Sequence, residues 1–238
     1  TIAMVCENLY PRPKLLILNY PHNPTAMTVD EGFFEPVVQL ARRFSIAVIH
    51  DFAYGEMYFE GKKPISCLSV PGAKEVCIEF HSLSKTFGMA GWRLGFAAGP
   101  ADIIAAMAKI HQHTMLSPSS MAQYAAIEAL KAGEPDIQQM VAEYDKRRKV
   151  LVQGLNSIGL TCHEPRGAFY AFPSIKVTGL TSDEFVEKLL VEEKVLAMPG
   201  SLFGKQGEGF ARICYAYSLP SIEEALRRMA RFVERHRE

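Results

Sequence analysis

Ser82-Leu83-Ser84-Lys85-Thr86-Phe87-Gly88-Met89-Ala90-Gly91-Trp92-Arg93 is the segment on which the reading of this chain turns. It lies between two short apolar runs, Val76 to His81 and Leu94 to Ala98, each of a length and character suited to a strand. So short a connection favours antiparallel neighbours, because a parallel return needs a longer crossover. The segment also sets one lysine among hydroxyls just past a strand and an arginine just before the next. That grouping suits an amine that reacts with an aldehyde, beside a cation that holds an anion.

Upstream, Leu15-Leu16-Ile17-Leu18 reads as a buried strand running out into Asn19-Tyr20-Pro21-His22-Asn23-Pro24-Thr25, where two prolines exclude a helix. Thr28 and Glu31 have the spacing of a capping box, and Phe33, Phe34, Val37, Leu40, Ala41 and Phe44 follow at helical spacing, which predicts a helix over 30–44. Ile46-Ala47-Val48-Ile49 is a further apolar run ending at His50-Asp51. Strand, helix, strand in this order predicts a right-handed crossover in a largely parallel α/β sheet.

Downstream, the pattern becomes helical. Ile103, Met107 and Ile110 share a face, Ser117-Pro118-Ser119 starts a second helix closed by Gly133, and a long amphipathic stretch runs from Asp136 to Leu155. Within that stretch Asp145-Lys146-Arg147-Arg148-Lys149 reads as a solvated face with pairs such as Glu143 to Arg147. After Gly159 come short strands at 168–172, 195–198 and 210–215. They alternate with a helix boxed by Thr181 and Glu184 and a last helix boxed by Ser221 and Glu224. The expected organisation is a large domain over 1–135 and a smaller α+β domain over 136–238 that includes the long connecting helix.

Composition narrows the classes. With 238 residues and 48% hydrophobic content the chain can bury a substantial core. Lys plus Arg and Asp plus Glu balance at 26 each, so no global field favours nucleic acid or an anionic membrane. No apolar stretch reaches the length of a membrane span. Cys6, Cys67, Cys77, Cys162 and Cys214 are odd in number and contain no C-x-x-C pair, which argues against zinc and a disulfide framework and for a reduced, cytoplasmic setting. His111 and His113 are two apart on a helix and lack partners for a metal site. Gly204-Lys205-Gln206-Gly207-Glu208-Gly209 lacks the strand-loop-helix setting of a phosphate loop, and His50 and His81 read as packing or hydrogen-bonding elements.

In open α/β sheets ligands sit outside the carboxyl ends of the strands. Three strand ends bring Asn23, Asp51 and Lys85 to that edge, and Arg93 starts an antiparallel strand there. Each alone has a bland reading: lysines are mostly surface charges, and an aspartate after a strand is often a helix cap. Together their types fit pyridoxal phosphate. Lysine can form an imine with the cofactor aldehyde, aspartate can keep the pyridine nitrogen protonated, hydroxyls and arginine can hold the phosphate, and Asn23 and Tyr54 can bond the phenolic oxygen.

The chain resembles the class I and II aminotransferases, pyridoxal-phosphate enzymes of fold type I. Asn23-Pro24-Thr25 matches the family's N-P-T-G segment, Asp51-Phe52-Ala53-Tyr54 its D-x-x-Y, and Ser82 through Arg93 its lysine signature, with Ala26 departing from the usual glycine. The resemblance implies that Lys85 is the Schiff-base lysine and proton carrier and that Asp51 is the pyridine partner. By the same resemblance Asn23 and Tyr54 are the O3′ partners, and Ser82, Ser84 and Arg93 lie at or near the phosphate. It assigns Arg212, in Phe210-Ala211-Arg212-Ile213-Cys214-Tyr215, to the substrate α-carboxylate, the alternative being a strand-edge charge. Gly167-Ala168-Phe169-Tyr170 is similar to a family segment near substrate, with Phe169 equally readable as core.

The implied activity is amino transfer between an amino acid and a 2-oxo acid in a homodimer. The family's N-terminal portion, with its phosphate loop, ring-stacking aromatic and neighbouring-subunit tyrosine, has no counterpart in residues 1–14, so a fragment is expected. The alternatives are a lyase of the same fold, or a non-catalytic effector domain of a transcription regulator; the latter needs a DNA-binding helix set that is not in this sequence.

Overall fold

The computed structural model describes residues 2–8 and 10–237. The chain forms two compact units, Thr1–Pro21 with Thr28–Gln138, and His22–Met27 with Gln139–Glu238. The observed division falls between Gln138 and Gln139, three residues past the expected one, and the second unit also takes in His22–Met27. Backbone bonding explains the latter: the amides of Arg166 and Gly167 both donate to the Ala26 carbonyl, at 3.1 and 3.2 Å.

In the first unit, helix α1 (Ile2–Asn8) precedes β1 (Leu15–Asn19), α2 (Phe34–Phe44), β2 (Ala47–Asp51), β3 (Cys77–Ser82), the short helix α3 (Leu83–Thr86) and β4 (Gly95–Ala98). The sheet order is β1-β2-β3-β4. β1, β2 and β3 run parallel, and β4 pairs antiparallel to β3, as the short lysine segment predicts. Asn19 lies opposite Asp51, Asp51 opposite Phe80, and Ser82 opposite Gly95, so the C-terminal ends of β1 to β3 and the start of β4 share one sheet edge. Phe34, Val38 and Ala41 of α2 pack with Val48, Cys67, Val70, Ala73 and Cys77 in a buried core. The thiols of Cys67 and Cys77 lie 2.7 Å apart there, and both are free cysteines.

α2 starts at Phe34 rather than Asp30, with no side-chain cap. Gly32, at φ +86°, turns the backbone out of the helical region, and Pro36 falls in the first turn, where its missing N–H costs nothing. The Thr28–Glu31 spacing therefore does not mark a capping box. Helices α4 (Ala101–Thr114) and α5 (Ser120–Ala132) follow as expected, and Gly133 closes α5 with right-handed dihedrals, φ −81° and ψ 0°. A Cβ at Gly133 would meet the Phe87 ring at 2.7 Å, so close packing fixes that glycine.

Helix α6 (Glu134–Ser157) leads into the second unit. There β5 (Tyr170–Ala171), β6 (Met198–Pro199) and β7 (Ala211–Cys214) form an antiparallel sheet in the order β5-β7-β6, with α7 (Ser182–Glu193) and α8 (Leu219–His236). Thr181 and Glu184 make the expected capping box of α7. α8 is capped by Ser218, whose hydroxyl accepts the Ser221 amide, three residues before the expected cap; Pro220 sits in the first turn, where proline is tolerated. Phe185 of α7 meets Phe232 of α8 edge to face at 5.3 Å, and both are fully buried.

One further expectation is corrected. Arg147 pairs with Glu143 at 2.9 Å as predicted, yet Arg148 is buried rather than solvated. Its guanidinium reaches Asp145 at 2.7 Å and the Pro165 carbonyl at 2.8 Å, so bonding across to the following loop draws one residue of the basic cluster into the core.

Candidate active site

Sequence order alone brings Asp51, Ser82 and Lys85 to the shared sheet edge of the first unit. Asp51 closes β2, its carbonyl accepts the Asn19 side-chain amide at 3.0 Å, and its Oδ1 accepts the Ala53 amide at 3.2 Å. The carboxylate is thereby oriented at a strand end while remaining partly exposed. Tyr54, three residues on, is buried. Ser82 ends β3, Ser84 and Lys85 sit in α3, and the Lys85 Nζ lies 5.9 Å from the centre of the Tyr54 ring. Lys85 is partly buried, an unusual setting for a lysine and one that keeps its amine near the ring face.

Arg93 stands two residues before β4 in a left-handed conformation, φ 53°, with Nη1 donating to the Ala90 carbonyl at 2.9 Å. Its head is exposed at the edge that carries Ser82 and Lys85. The lysine segment thus supplies an amine, hydroxyls and a guanidinium from a single turn between antiparallel strands.

Asn23 and Arg212 belong to the second unit, where the structure brings them together: Arg212 Nη1 donates to Asn23 Oδ1 at 2.8 Å. The guanidinium is also held between aromatic faces, 4.5 Å from the Tyr170 ring and 4.9 Å from that of Phe203. Stacking and a fixed hydrogen bond hold the planar fork in one orientation. Phe169 is core: it is buried and stacks on Tyr144 at 5.7 Å. Ala26 takes φ 58°, the left-handed conformation that glycine would adopt more readily, so the departure from the N-P-T-G pattern keeps the turn. A cavity of about 730 Å³ in this unit is lined by Leu196, Met198, Tyr217 and Met229, with Lys194, Arg212 and Arg228 as its basic groups. Arg228 is engaged by Glu224 at 2.7 Å and by the Glu193 carbonyl at 3.0 Å.

Sequence reasoning left two partners of this chemistry unassigned. Asn19, which bonds the main chain of Asp51, was visible only as the first residue of the turn-rich segment after the apolar run. Phe203 ends a short 3₁₀ helix, Gly200–Phe203, whose placement against Arg212 no local pattern announces. No group of three or more His, Cys, Asp or Glu side chains able to hold a metal occurs among the described residues. No helix among them is long and apolar enough to cross a membrane.

The donor set fits pyridoxal phosphate by its chemistry. A partly buried primary amine, an oriented carboxylate, a buried phenol, two serine hydroxyls and an exposed guanidinium are what the aldehyde, pyridine nitrogen, phenolic oxygen and phosphate require.

Residues 3–229 match the family described as aminotransferase class I and II. The chain is 41% identical over 226 residues to the LL-diaminopimelate aminotransferase of Nitratidesulfovibrio vulgaris (strain Hildenborough), covering 94% of this chain and 58% of that protein. It is 43% identical over 220 residues to the aspartate aminotransferase of Pyrococcus abyssi, covering 92% and 57%. The crystal structure of an aromatic aminotransferase from Pyrococcus horikoshii OT3 superposes with a TM-score of 0.92 at 38% identity, covering 99% of this chain and 63% of that one. The chain therefore spans a little under three fifths of the length of the curated relatives it matches. With the fold type I architecture shared and the family match running from residue 3 to residue 229, this chain belongs to the pyridoxal-phosphate-dependent class I and II aminotransferases.

Proposed function

We propose that this chain serves amino transfer between an amino acid and a 2-oxo acid. The observation that carries the reading is the sheet edge of the first unit, where the Lys85 amine lies beside the Tyr54 ring and the oriented Asp51 carboxylate closes the neighbouring strand. Lys85 would hold pyridoxal phosphate through its amine and Asp51 through the ring nitrogen. Tyr54 and Asn23 would bond the phenolic oxygen, and Ser82, Ser84 and Arg93 the phosphate. When bound, the cofactor supplies an electron sink for the pair of electrons left at the substrate Cα.

The protein's own groups do the rest. Arg212, held by the Tyr170 and Phe203 rings and steadied by Asn23, would take the substrate α-carboxylate bidentately. The free Lys85 amine would act as general base and general acid, carrying a proton between the substrate Cα and the cofactor C4′. Asp51, its Oδ1 pinned by the Ala53 amide, would keep a proton at the ring nitrogen. The compact units would be the partial large domain and the small domain of such an enzyme. The amino donor is an α-amino acid; relatives named for LL-diaminopimelate and for aspartate frame the choice. A homodimer in the cytoplasm is part of the proposal, supported by large apolar side chains that remain exposed, among them Leu116, Met121 and Tyr124, and by the free cysteines.

The test is Lys85→Ala. Pyridoxal phosphate added to the unsubstituted protein should give an imine absorbance and, with an amino donor, convert to its amine form. Lys85→Ala should abolish both, and near-normal imine absorbance in the variant refutes the assignment. Light scattering on the same samples tests the dimer, which a monomer at micromolar concentration refutes.

A further inference from the structure

Alternation along a strand puts His50 on the sheet face opposite Asp51, and puts Glu79 and His81 on the face opposite Ser82. In register, His50 pairs with Glu79 and His81 with Phe96, so a row of side chains crosses β2, β3 and β4 behind the candidate site. His50 and Glu79 are almost fully buried, at 0% and 2% exposure.

Their bonding is complete. His50 Nδ1 lies 3.0 Å from Glu79 Oε2, and Nε2 lies 3.1 Å from the Tyr20 carbonyl. Glu79 also accepts the Ser66 hydroxyl at 2.8 Å and the Cys67 amide at 3.0 Å, and its Oε1 lies 2.9 Å from His81 Nε2. The His81 ring stacks on Phe96, with centroids 4.6 Å apart and planes at 8°. Both ring nitrogens of His50 are therefore engaged, one by the Glu79 carboxylate and one by the Tyr20 carbonyl, which fixes the ring plane. The Cys67 amide also points toward His50 Nδ1, at 3.4 Å, but its shorter bond goes to Glu79.

A buried polar row of this kind is weak as a stabiliser, since well-packed apolar side chains avoid the desolvation cost. What this row supplies is direction. It ties the chain leaving β1, the last turn of β2, the end of β3 and the edge strand β4 to one another. We propose that Glu79 is a positioning residue, acting through His50 and His81 to hold Asp51 and the Ser82–Lys85 turn at their spacing; this rests on reading those residues as the cofactor site.

The experiment compares the unsubstituted chain with Glu79→Gln and with His50→Leu/Glu79→Leu/His81→Phe, which makes the row apolar. Hydrogen exchange is followed without cofactor at the amides of Phe52, bonded to the Phe80 carbonyl at 2.9 Å, and of Ala53, bonded to Asp51. Pyridoxal phosphate is then titrated by absorbance. Positioning predicts that both variants exchange these amides about tenfold faster while α2 keeps its protection. The triple variant should keep its melting temperature, and cofactor affinity should fall about tenfold, as when a supporting partner of a ligand is removed. Unchanged exchange at Phe52 and Ala53, or acceleration spread evenly over the unit, overturns the proposal. If the triple variant does not fold, Glu79→Gln decides alone. Failure of the unsubstituted chain to take up cofactor counts against the proposed function instead, and the exchange result still decides the role of Glu79.

Discussion

Replacing Arg148 by alanine tests whether the second unit is held by a cation in its interior. The side chain is 1% exposed, and its Nε and Nη2 donate to Asp145 Oδ1 at 2.9 and 2.7 Å. Nη1 donates to the buried Pro165 carbonyl at 2.8 Å and also approaches Glu164, which is mostly exposed, at 3.3 Å. Removing one partner of a buried pair costs about 3–5 kcal/mol. Asp145 retains Lys149 at 2.7 Å and is a quarter exposed, which draws the cost toward the lower end. Leaving the Pro165 carbonyl unsatisfied accounts for about 1–3 kcal/mol of the total. Arg148→Ala should therefore lose about 3 kcal/mol in urea unfolding at pH 7, and Arg148→Met, which restores volume but no donor, about 2 kcal/mol. A pH arm adds a signature. Burial pushes the Asp145 carboxyl up, but bonding to Lys149 and the charge of Arg148 outweigh it and hold the group below its usual value. A carboxyl lowered on folding stabilises above its unfolded pKa, about 3.9, and loses that contribution as pH falls through the lower folded value, so the alanine variant should show a smaller acid-side loss. A change under about 1 kcal/mol, the size expected of an exposed pair, refutes the buried reading.

Other outcomes follow from single groups. Burial raises the Glu79 carboxyl, but hydrogen bonds from His50, His81 and Ser66 prevail and hold it at about 2, from an ordinary 4.5. Its stabilisation is complete above pH 4.5 and fades toward pH 2, so acid titration of Glu79→Gln should lack that loss, and an identical acid limb would contradict it. Tyr215 is buried with its hydroxyl donating to the Ala168 carbonyl at 3.0 Å, so Tyr215→Phe should cost about 1–2 kcal/mol in denaturant unfolding; no change removes the bond from consideration. Thr181→Ala breaks the capping box of α7 and should cost about 1 kcal/mol, with Thr181→Ser restoring most of it.

The parallel strands and the reversed β4 were legible because each is an apolar run of strand length with turn chemistry at its ends, and because the lysine segment is too short for a crossover. Helix starts were less legible. Thr28 and Ser221 have hydroxyls at the right spacing, but Gly32 and Ser218 decide where the helices begin, and only backbone dihedrals distinguish them. The placement of Asp51 and Lys85 at one end of the parallel strands could be read from order and strand pattern. The burial of Arg148 could not, because Asp145 is a local partner three residues back on α6 while the Pro165 carbonyl lies 17 residues on, beyond the end of the helix, where local pattern does not reach. Phe169 shows the same limit from the other side: beside a motif, an aromatic in a strand gives no local sign of whether it faces ligand or core.

The six residues His22–Met27 give the second unit an unusual history. Asn23 among them is made well before its partner Arg212, which follows 189 positions later. At about 5–20 residues per second, the ribosome needs roughly 10–40 s to deliver it. Over that interval the unit lacks the Arg212 bond to Asn23, while the Arg166 and Gly167 amides that bond the Ala26 carbonyl arrive sooner. Residues 139–238 synthesised alone would lack the Asn23 side chain and the Ala26 carbonyl and leave the Arg166 and Gly167 amides without their acceptor. A separately expressed second half is therefore expected to need a peptide spanning 22–27 in trans before it takes its native form.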